Sequence, residues 1–256
     1  MHLYRGIVLA NDCIAEMYYH IKIQCAGLAK EVKEGQIIYI RCGTLADPLL
    51  RRPFSIYRFD ETEGIIEFVY IVKGKGTEII KTLRPGNEID LLGPGGRCYE
   101  LAAGVKAICI IGRGVGIASV VSIAEKARKL GIHVTAILSG RTDNAIISRK
   151  LLSDIGCDVI GVNDQENTSG PENVTQLLEE AVNRYGIGQI FTCGSNRVGR
   201  LVRGISRKYN IPAYVSLEER MACGIGICYG CVCETKNGYR TVCKDGPVFA
   251  IEEVVL

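Results

Sequence analysis

Five cysteines stand within residues 223 to 243: Cys223, Cys228, Cys231, Cys233 and Cys243. Only 37 residues follow Glu219 in a chain of 256, and a segment that short buries too little apolar surface to order itself. It needs a metal centre or a partner. Cys223, Cys228 and Cys231 follow the pattern C-x4-C-x2-C, and Cys243 comes after eleven further residues. This is the plant-type spacing for a 2Fe-2S cluster, whose two irons require four thiolates arriving from several sides. Gly224 and Gly226 suit a loop that wraps such a group and turns backbone N–H groups toward its sulfurs. Asn237-Gly238 is a hairpin signal, predicting a turn that pairs Val232 with Cys243 and returns the last thiol beside Cys231. Cys233 lies on the same face of that hairpin and competes for the third position, which the spacing gives to Cys231. A structural zinc is the alternative, but zinc sites favour paired C-x2-C knuckles.

The other seven cysteines (Cys13, Cys25, Cys42, Cys98, Cys109, Cys157 and Cys193) are scattered, mostly in apolar runs where a free thiol packs as a small hydrophobe. A chain this long whose start, MHLYRGIVLANDCIAE, has no export signal is not read as a disulfide framework, and a cytoplasmic location is expected. No apolar run approaches the ~20 residues of a membrane span. The 31 basic and 28 acidic side chains, net +3, are spread without blocks, so charge makes no case for nucleic acid or an anionic membrane.

Ahead of the tail the pattern changes once more. Up to about Cys98 the chain runs in short β-rich stretches (YRGIVLA, YYHIKIQCA, QIIYIRC, GIIEFVYIV, NEIDLLG) separated by turn residues, which predicts an antiparallel barrel or sandwich. From about Val105 it reads strand, glycine turn, helix. VKAICII leads into Gly112-Arg-Gly114-Val-Gly116, and Ile117, Val120, Val121, Ala124, Ala127 and Leu130 follow at helical spacing up to Gly131. Further strands are expected at IHVTAIL, 157–162, 189–193 and 213–218, with a helix over 172–185. Alternating strands and helices predict a doubly wound parallel sheet. The fold class is thus a β-barrel plus α/β, with a small C-terminal appendage.

Three further motifs carry chemistry. Glycines 112, 114 and 116, between a strand and a helix, permit backbone approach to a pyrophosphate at the helix N-terminus. The turn departs from G-x-G-x-x-G at Ile117, and read alone it is also compatible with a structural role. After the next strand the chain reads Ser139-Gly-Arg141-Thr142. Arginine there can take a 2′-phosphate, which leaves NAD or NADP open. Arg52-Pro53-Phe54-Ser55 and Lys73-Gly74-Lys75-Gly76-Thr77 offer a guanidinium fork, a serine and phosphate-binding donors, although RRPFS alone reads as a turn at a strand entrance. Cys193-Gly194-Ser195-Asn196 ends a strand and opens a helix, and its plain reading is an N-cap. The only histidines, His2, His20 and His133, lie beside no motif, and no catalytic acid–base set is assigned.

RPFS in a barrel, a later GKGT, a GxGxGIA turn and a CG pair opening a helix occur in the order of the ferredoxin–NADP reductase superfamily, which the chain resembles over residues 1 to about 213. With CGIGICYGCVC and VCKDGPVF added, the whole chain is similar to the electron-transfer subunits of dihydroorotate dehydrogenase B. The resemblance implies an FAD-binding barrel over 1–100, an NAD-binding α/β domain over 101–213 and a 2Fe-2S segment over 214–256. Arg52, Pro53, Phe54, Ser55, Val69, Tyr70, Ile71, Gly76 and Thr77 would contact FAD, while Gly112, Gly114, Gly116, Cys193 and Gly194 would face NAD. Cys223, Cys228, Cys231 and Cys243 would hold the cluster. Ser119 stands where the superfamily often has proline.

An oxidoreductase is implied that works in pyrimidine biosynthesis with an FMN-containing catalytic subunit, as a heterotetramer of two of each. Dihydroorotate is oxidised on the partner, and electrons pass through cluster and FAD to NAD+. The partner is expected around residues 220–245. The alternatives are the flavin subunit of a sulfide dehydrogenase or of an NADH-dependent ferredoxin:NADP oxidoreductase, and, in another class, a nucleotide-binding redox sensor without turnover.

Overall fold

The computed structural model describes residues 1–43 and 47–256. The first layer is a seven-stranded antiparallel sheet: β1 (His2–Ala15), β2 (Tyr18–Gln24), β3 (Ile37–Ile40), β4 (Arg52–Ser55), β5 (Arg58–Asp60), β6 (Ile65–Ile71) and β7 (Glu88–Gly95), in the spatial order β4-β3-β7-β1-β2-β6-β5. It curls into a half-barrel around Val8, Ile21, Ile23, Ile38, Ile66 and Phe68, all with no measurable exposure. On β2 the alternation of Ile21 and Ile23 with His20, Lys22 and Gln24 turns one face of the strand inward.

RRPFS proves to be a strand and not only a turn. β4 pairs with β3, Phe54 opposite Ile38 and Pro53 opposite Tyr39. It lies at the sheet edge, where a proline's missing N–H costs no ladder bond. Two short helices, α1 (Ala26–Ala29) and α2 (Lys75–Thr82), connect strands of this layer.

The second layer is a six-stranded sheet ordered β10-β9-β8-β11-β12-β15. β8 (Ala107–Arg113), β9 (His133–Gly140), β10 (Asp158–Asn163), β11 (Gln189–Cys193) and β12 (Ala213–Ser216) are parallel, whereas β15 (Val248–Ala250) runs antiparallel to β12. The helices are α3 (Ile117–Lys129), α4 (Arg149–Asp154), α5 (Pro171–Tyr185) and α6 (Asn196–Tyr209). α3 buries Ile117, Val120, Val121 and Ala124. Gly131 stops it in the left-handed region at φ +74°, with the Ile132 N–H returning to the Ala127 carbonyl at 2.9 Å.

The layers are joined by specific contacts: Arg58 Nε to Glu125 Oε1 at 2.7 Å, Lys126 Nζ to Glu34 Oε2 at 2.9 Å, and Tyr99 edge-on against Phe191.

Between β12 and β15 the chain makes its cysteine loop, which contains the hairpin β13 (Val232–Thr235) and β14 (Gly238–Thr241). The expected register is corrected here: Val232 pairs with Thr241, and Thr235 with Gly238. The two-residue connection is therefore Lys236-Asn237, and Gly238, at φ +93°, opens the returning strand. Cys243 still arrives beside Cys231. The Val242 N–H bonds the Cys231 carbonyl at 2.9 Å, and the Cys243 N–H points at Cys231 Sγ at 3.4 Å.

Candidate functional site

Where the two layers meet, a cleft of about 840 Å³, measured with its open mouth, runs between barrel and α3. Pro53, Phe54 and Ser55 on β4 and Val69, Tyr70 and Ile71 on β6 form one wall; Val115, Ala118, Glu218 and Met221 form the other. Phe54 leans edge-on against Tyr70, with ring centres 5.9 Å apart, which fixes that wall.

Arg52 donates to the Leu50 carbonyl at 2.7 Å and lies along Gly76, where a Cβ would stand 3.0 Å from its Nε. Glycine is thus what lets the first turn of α2 approach this guanidinium. Together they present a cation and backbone N–H groups to an anion. The Thr77 hydroxyl accepts from the N–H groups of Lys73 at 2.9 Å and Gly74 at 3.1 Å. It closes the turn that leads from Lys73, which lines the cleft, into α2; Arg52, Gly76 and Thr77 themselves stand outside the lining.

A second cleft, of about 1360 Å³ with its mouth, opens at the carboxyl ends of β8, β9 and β11, beside Arg113, Gly114, Gly116, Arg141 and Gly194. In an open parallel sheet this is where ligands bind. A Cβ on Gly116 would meet the Cys193 carbonyl oxygen at 2.8 Å, and one on Gly112 would meet Ile117 Cα at 2.7 Å. These two glycines let the helix start press onto the strand ends, so Ile117 in the third position of the fingerprint displaces nothing. Ile71, Lys73, Val115 and Glu218 border both clefts, which makes them one continuous groove.

At the junction, Cys193 Sγ lies 3.8 Å from Glu218 Oε1. Burial pushes the Cys193 thiol up and out of nucleophilic use. The Glu218 carboxyl is also held above its ordinary value by the protein atoms that crowd it, with Lys73 acting in the opposite direction. Its side chain nonetheless reaches solvent through the groove.

The cysteine loop adjoins the first cleft at its two ends, through Met221 and Pro247. Ile225 N–H points at Cys223 Sγ and Gly230 N–H at Cys228 Sγ, each at 3.4 Å, as the Cys243 N–H does at Cys231. Backbone donors converging on sulfur stabilise thiolate. Burial alone would raise Cys223, but hydrogen bonds from the Ile225, Cys228 and Ile227 backbone and from the Cys228 thiol outweigh it and bring the pKa to about 6. Cys243 is pushed up to about 12, first by burial and then by Cys231.

The thiols approach in pairs, Cys223 with Cys228 and Cys231 with Cys243. Cys243 also has Cys223 as a neighbour, so the two pairs face the same side of the loop; among the described residues no three His, Cys, Asp or Glu side chains are drawn together closely enough to hold one metal ion. Cys233 instead has Glu219, Cys231 and Asp245 as its charged or titratable neighbours. Tyr39, buried on β3, ties the loop to the first cleft. A Cβ on Gly224 would stand 2.9 Å from its ring, and its hydroxyl donates to Met221 Sδ at 3.3 Å.

Sequence reasoning named Lys73 only as the start of its motif and did not pick out Arg113, Glu218, Met221 or Tyr39. Arg113 was in view inside the glycine turn, and Glu218 lies two residues past β12. The signal was their position at strand ends, not their residue type.

A family model described as the iron-sulfur cluster binding domain of dihydroorotate dehydrogenase B matches residues 218–255. The electron transfer subunit of dihydroorotate dehydrogenase B (NAD(+)) from Bacillus caldolyticus is 33% identical over 261 residues, 98% of each chain, and that of Desulforamulus reducens is 28% identical over 97% of this chain and 96% of its own. A solved NADH-dependent reduced ferredoxin-NADP oxidoreductase, studied for flavin-based electron bifurcation, superposes with a TM-score of 0.84 at 25% identity, over 98% of this chain and 89% of that one. Ferredoxin-NADP+ reductase from Plasmodium falciparum, at 15% identity and a TM-score of 0.65 over 83% and 96%, shares the fold.

A half-barrel and a parallel sheet around one groove, with a four-thiol loop on its wall, define an oxidoreductase of the ferredoxin–NADP reductase type. Within that class, the near full-length match and the cluster-domain model are decisive. The chain belongs to the family of dihydroorotate dehydrogenase B electron transfer subunits.

Proposed function

We propose that this chain receives electrons from an FMN-containing catalytic subunit that oxidises dihydroorotate, and passes them by way of a 2Fe-2S cluster and FAD to NAD+, in pyrimidine biosynthesis. One observation carries this reading: Met221 lines the first cleft while lying two residues before Cys223, so the cysteine loop and the cleft share a wall. Electron transfer needs that closeness. When bound, FAD supplies the exchange between one-electron and two-electron carriers.

We assign FAD to the first cleft, held by Arg52, Pro53, Phe54, Ser55, Val69, Tyr70, Ile71, Gly76 and Thr77, and the cluster to Cys223, Cys228, Cys231 and Cys243. Gly112, Gly114, Gly116, Cys193 and Gly194 frame the NAD side. This divides the chain into an FAD-binding unit over 1–100, an NAD-binding unit over 101–213 and a cluster-binding segment over 214–256. Arg52 and the α2 N-terminus bind the anionic part of the first ligand, and Ser55 offers its hydroxyl to the polar edge of the ring. Glu218, at the junction, holds a proton on its carboxyl oxygen at a pH where a free glutamate would have lost it. A cluster delivers electrons without protons, so a proton source between the two clefts completes the transfer of a hydride equivalent.

Ile227 and Tyr229, 71% and 68% exposed on the cysteine loop, with Tyr239 at 74% on the hairpin, present apolar area where the partner subunit docks; we expect a heterotetramer of two of each chain. All twelve cysteines are free, which suits the reducing cytoplasm. Among the described residues no helix is long and apolar enough to cross a membrane.

The test is co-purification with the candidate catalytic subunit, followed by assay of NAD+ reduction. Reduction with dihydroorotate only in the complex is the expected result; reduction with sulfide or ferredoxin alone would move the chain to a related reductase. Absence of flavin absorption bands would favour a redox sensor.

A further inference from the structure

β9 ends in Ser139-Gly140 and Arg141 follows it, without the carboxylate that grips an unphosphorylated ribose at this place in dinucleotide-binding sheets. Arg141 there, and Arg113 from the glycine turn, both line the nucleotide cleft. Two guanidiniums side by side would form a phosphate site. Arg113, however, is already engaged. Its Nη2 donates to Asp164 Oδ2 at 2.7 Å and its Nη1 to Ser139 Oγ at 2.7 Å. The other Asp164 oxygen accepts from the Ser169 hydroxyl. The backbone N–H groups of Asp164 and Gln165 bond the carbonyls of Gly140 and Arg141 at 3.2 and 3.1 Å. A carboxylate that follows β10 is therefore fixed against the end of β9. Arg113 holds that carboxyl below its ordinary range, so it is charged at neutral pH.

We infer that Asp164 makes this site select a dinucleotide with a free ribose 2′-hydroxyl, by occupying the Arg113 fork and placing a negative charge beside the position a 2′-phosphate would take. The inference rests on the second cleft being the NAD site, and it names the residue that sets the choice of nucleotide. It also explains how a chain with Arg141 at that strand end serves NAD. Freed from Asp164, Arg113 joins Arg141, and charge-assisted bonds from a guanidinium to a phosphate are worth enough to change relative affinity by about tenfold or more.

Calorimetric titration of the purified holoprotein with NAD+, NADP+, 5′-AMP and 2′-phospho-AMP tests this without turnover. The unmodified chain should prefer NAD+ and 5′-AMP. Asp164→Ala should shift the ratio of affinities toward the 2′-phosphorylated ligands by about tenfold or more. Asp164→Asn, which retains an acceptor for the loop, should shift it in the same direction by less. Arg113→Gln added to Asp164→Ala should abolish the gain. An unchanged ratio in variants that still bind NAD+ overturns the inference, as does an original preference for the 2′-phosphorylated ligands. If the unmodified chain binds none of the four, the NAD assignment of the cleft itself falls.

Discussion

Single residues differ sharply in what their loss would do, even within the cysteine loop. Cys231 has Cys243 folded back on it with backbone N–H pointing at its sulfur, whereas Cys233 faces the carboxylates of Glu219 and Asp245. Cys231→Ser should remove iron and acid-labile sulfide and the visible absorption of the cluster, while Cys233→Ser keeps both; metal analysis of anaerobically purified protein decides. Glu218 gives a test of another kind. If its carboxyl is the proton source, NAD+ reduction in the complex should fall as pH rises through its elevated pKa, because the protonated form is the active one. Glu218→Gln should flatten that profile and lower the rate by about 10²-fold, the usual scale of general acid–base catalysis, with NAD+ binding retained.

At the scale of strands and helices, β6 is the member on which several links converge. Its Glu67 accepts from His20 on β2 at 2.7 Å and lies 3.7 Å from Arg58 on β5, which reaches on to Glu125 of α3. Burial would raise this carboxyl, but the His20 bond and the Arg58 charge outweigh it and leave the pKa lowered. A lowered folded pKa contributes stability above the unfolded value that is lost as pH falls. Glu67→Gln should therefore cost about 2 kcal/mol at pH 7, and the gap to the unmodified protein should close below the 4.5 of a free glutamate; melting temperatures across pH measure it.

Elements built from one hydrophobic period were legible in the sequence. α3 and the strands around it follow from apolar spacing and Gly131, and the doubly wound order follows from their alternation. β4 was obscured because proline argues against a strand, and only its place at the edge admits it. The hairpin turn lies one residue earlier than Asn237-Gly238 predicts, which shifts the pairing by two, because Gly238 takes a left-handed conformation at a strand start as readily as in the turn. Arg113–Asp164 and Tyr39–Met221 could not be read at all: each joins residues 51 or more positions apart, and only the packed sheets bring them together.

For the whole molecule, the two clefts share lining residues and the first reaches Met221 beside the cysteine loop, and that loop is not a loose tail. Ser216 pairs with Val248, so the last strand of the excursion lies beside the first, and Leu217 N–H bonds the Pro247 carbonyl at 2.9 Å. The segment that handles iron is thus clamped at its base, as a pendant is by its clasp. Stripping the metal under anaerobic conditions should leave circular dichroism of both sheets nearly unchanged while opening peptide bonds between 217 and 247 to limited proteolysis; cuts spread through the barrel would contradict this. A damaged metal centre can then be rebuilt on a scaffold that never unfolded, and repair is a matter of refilling one pocket instead of making a new protein.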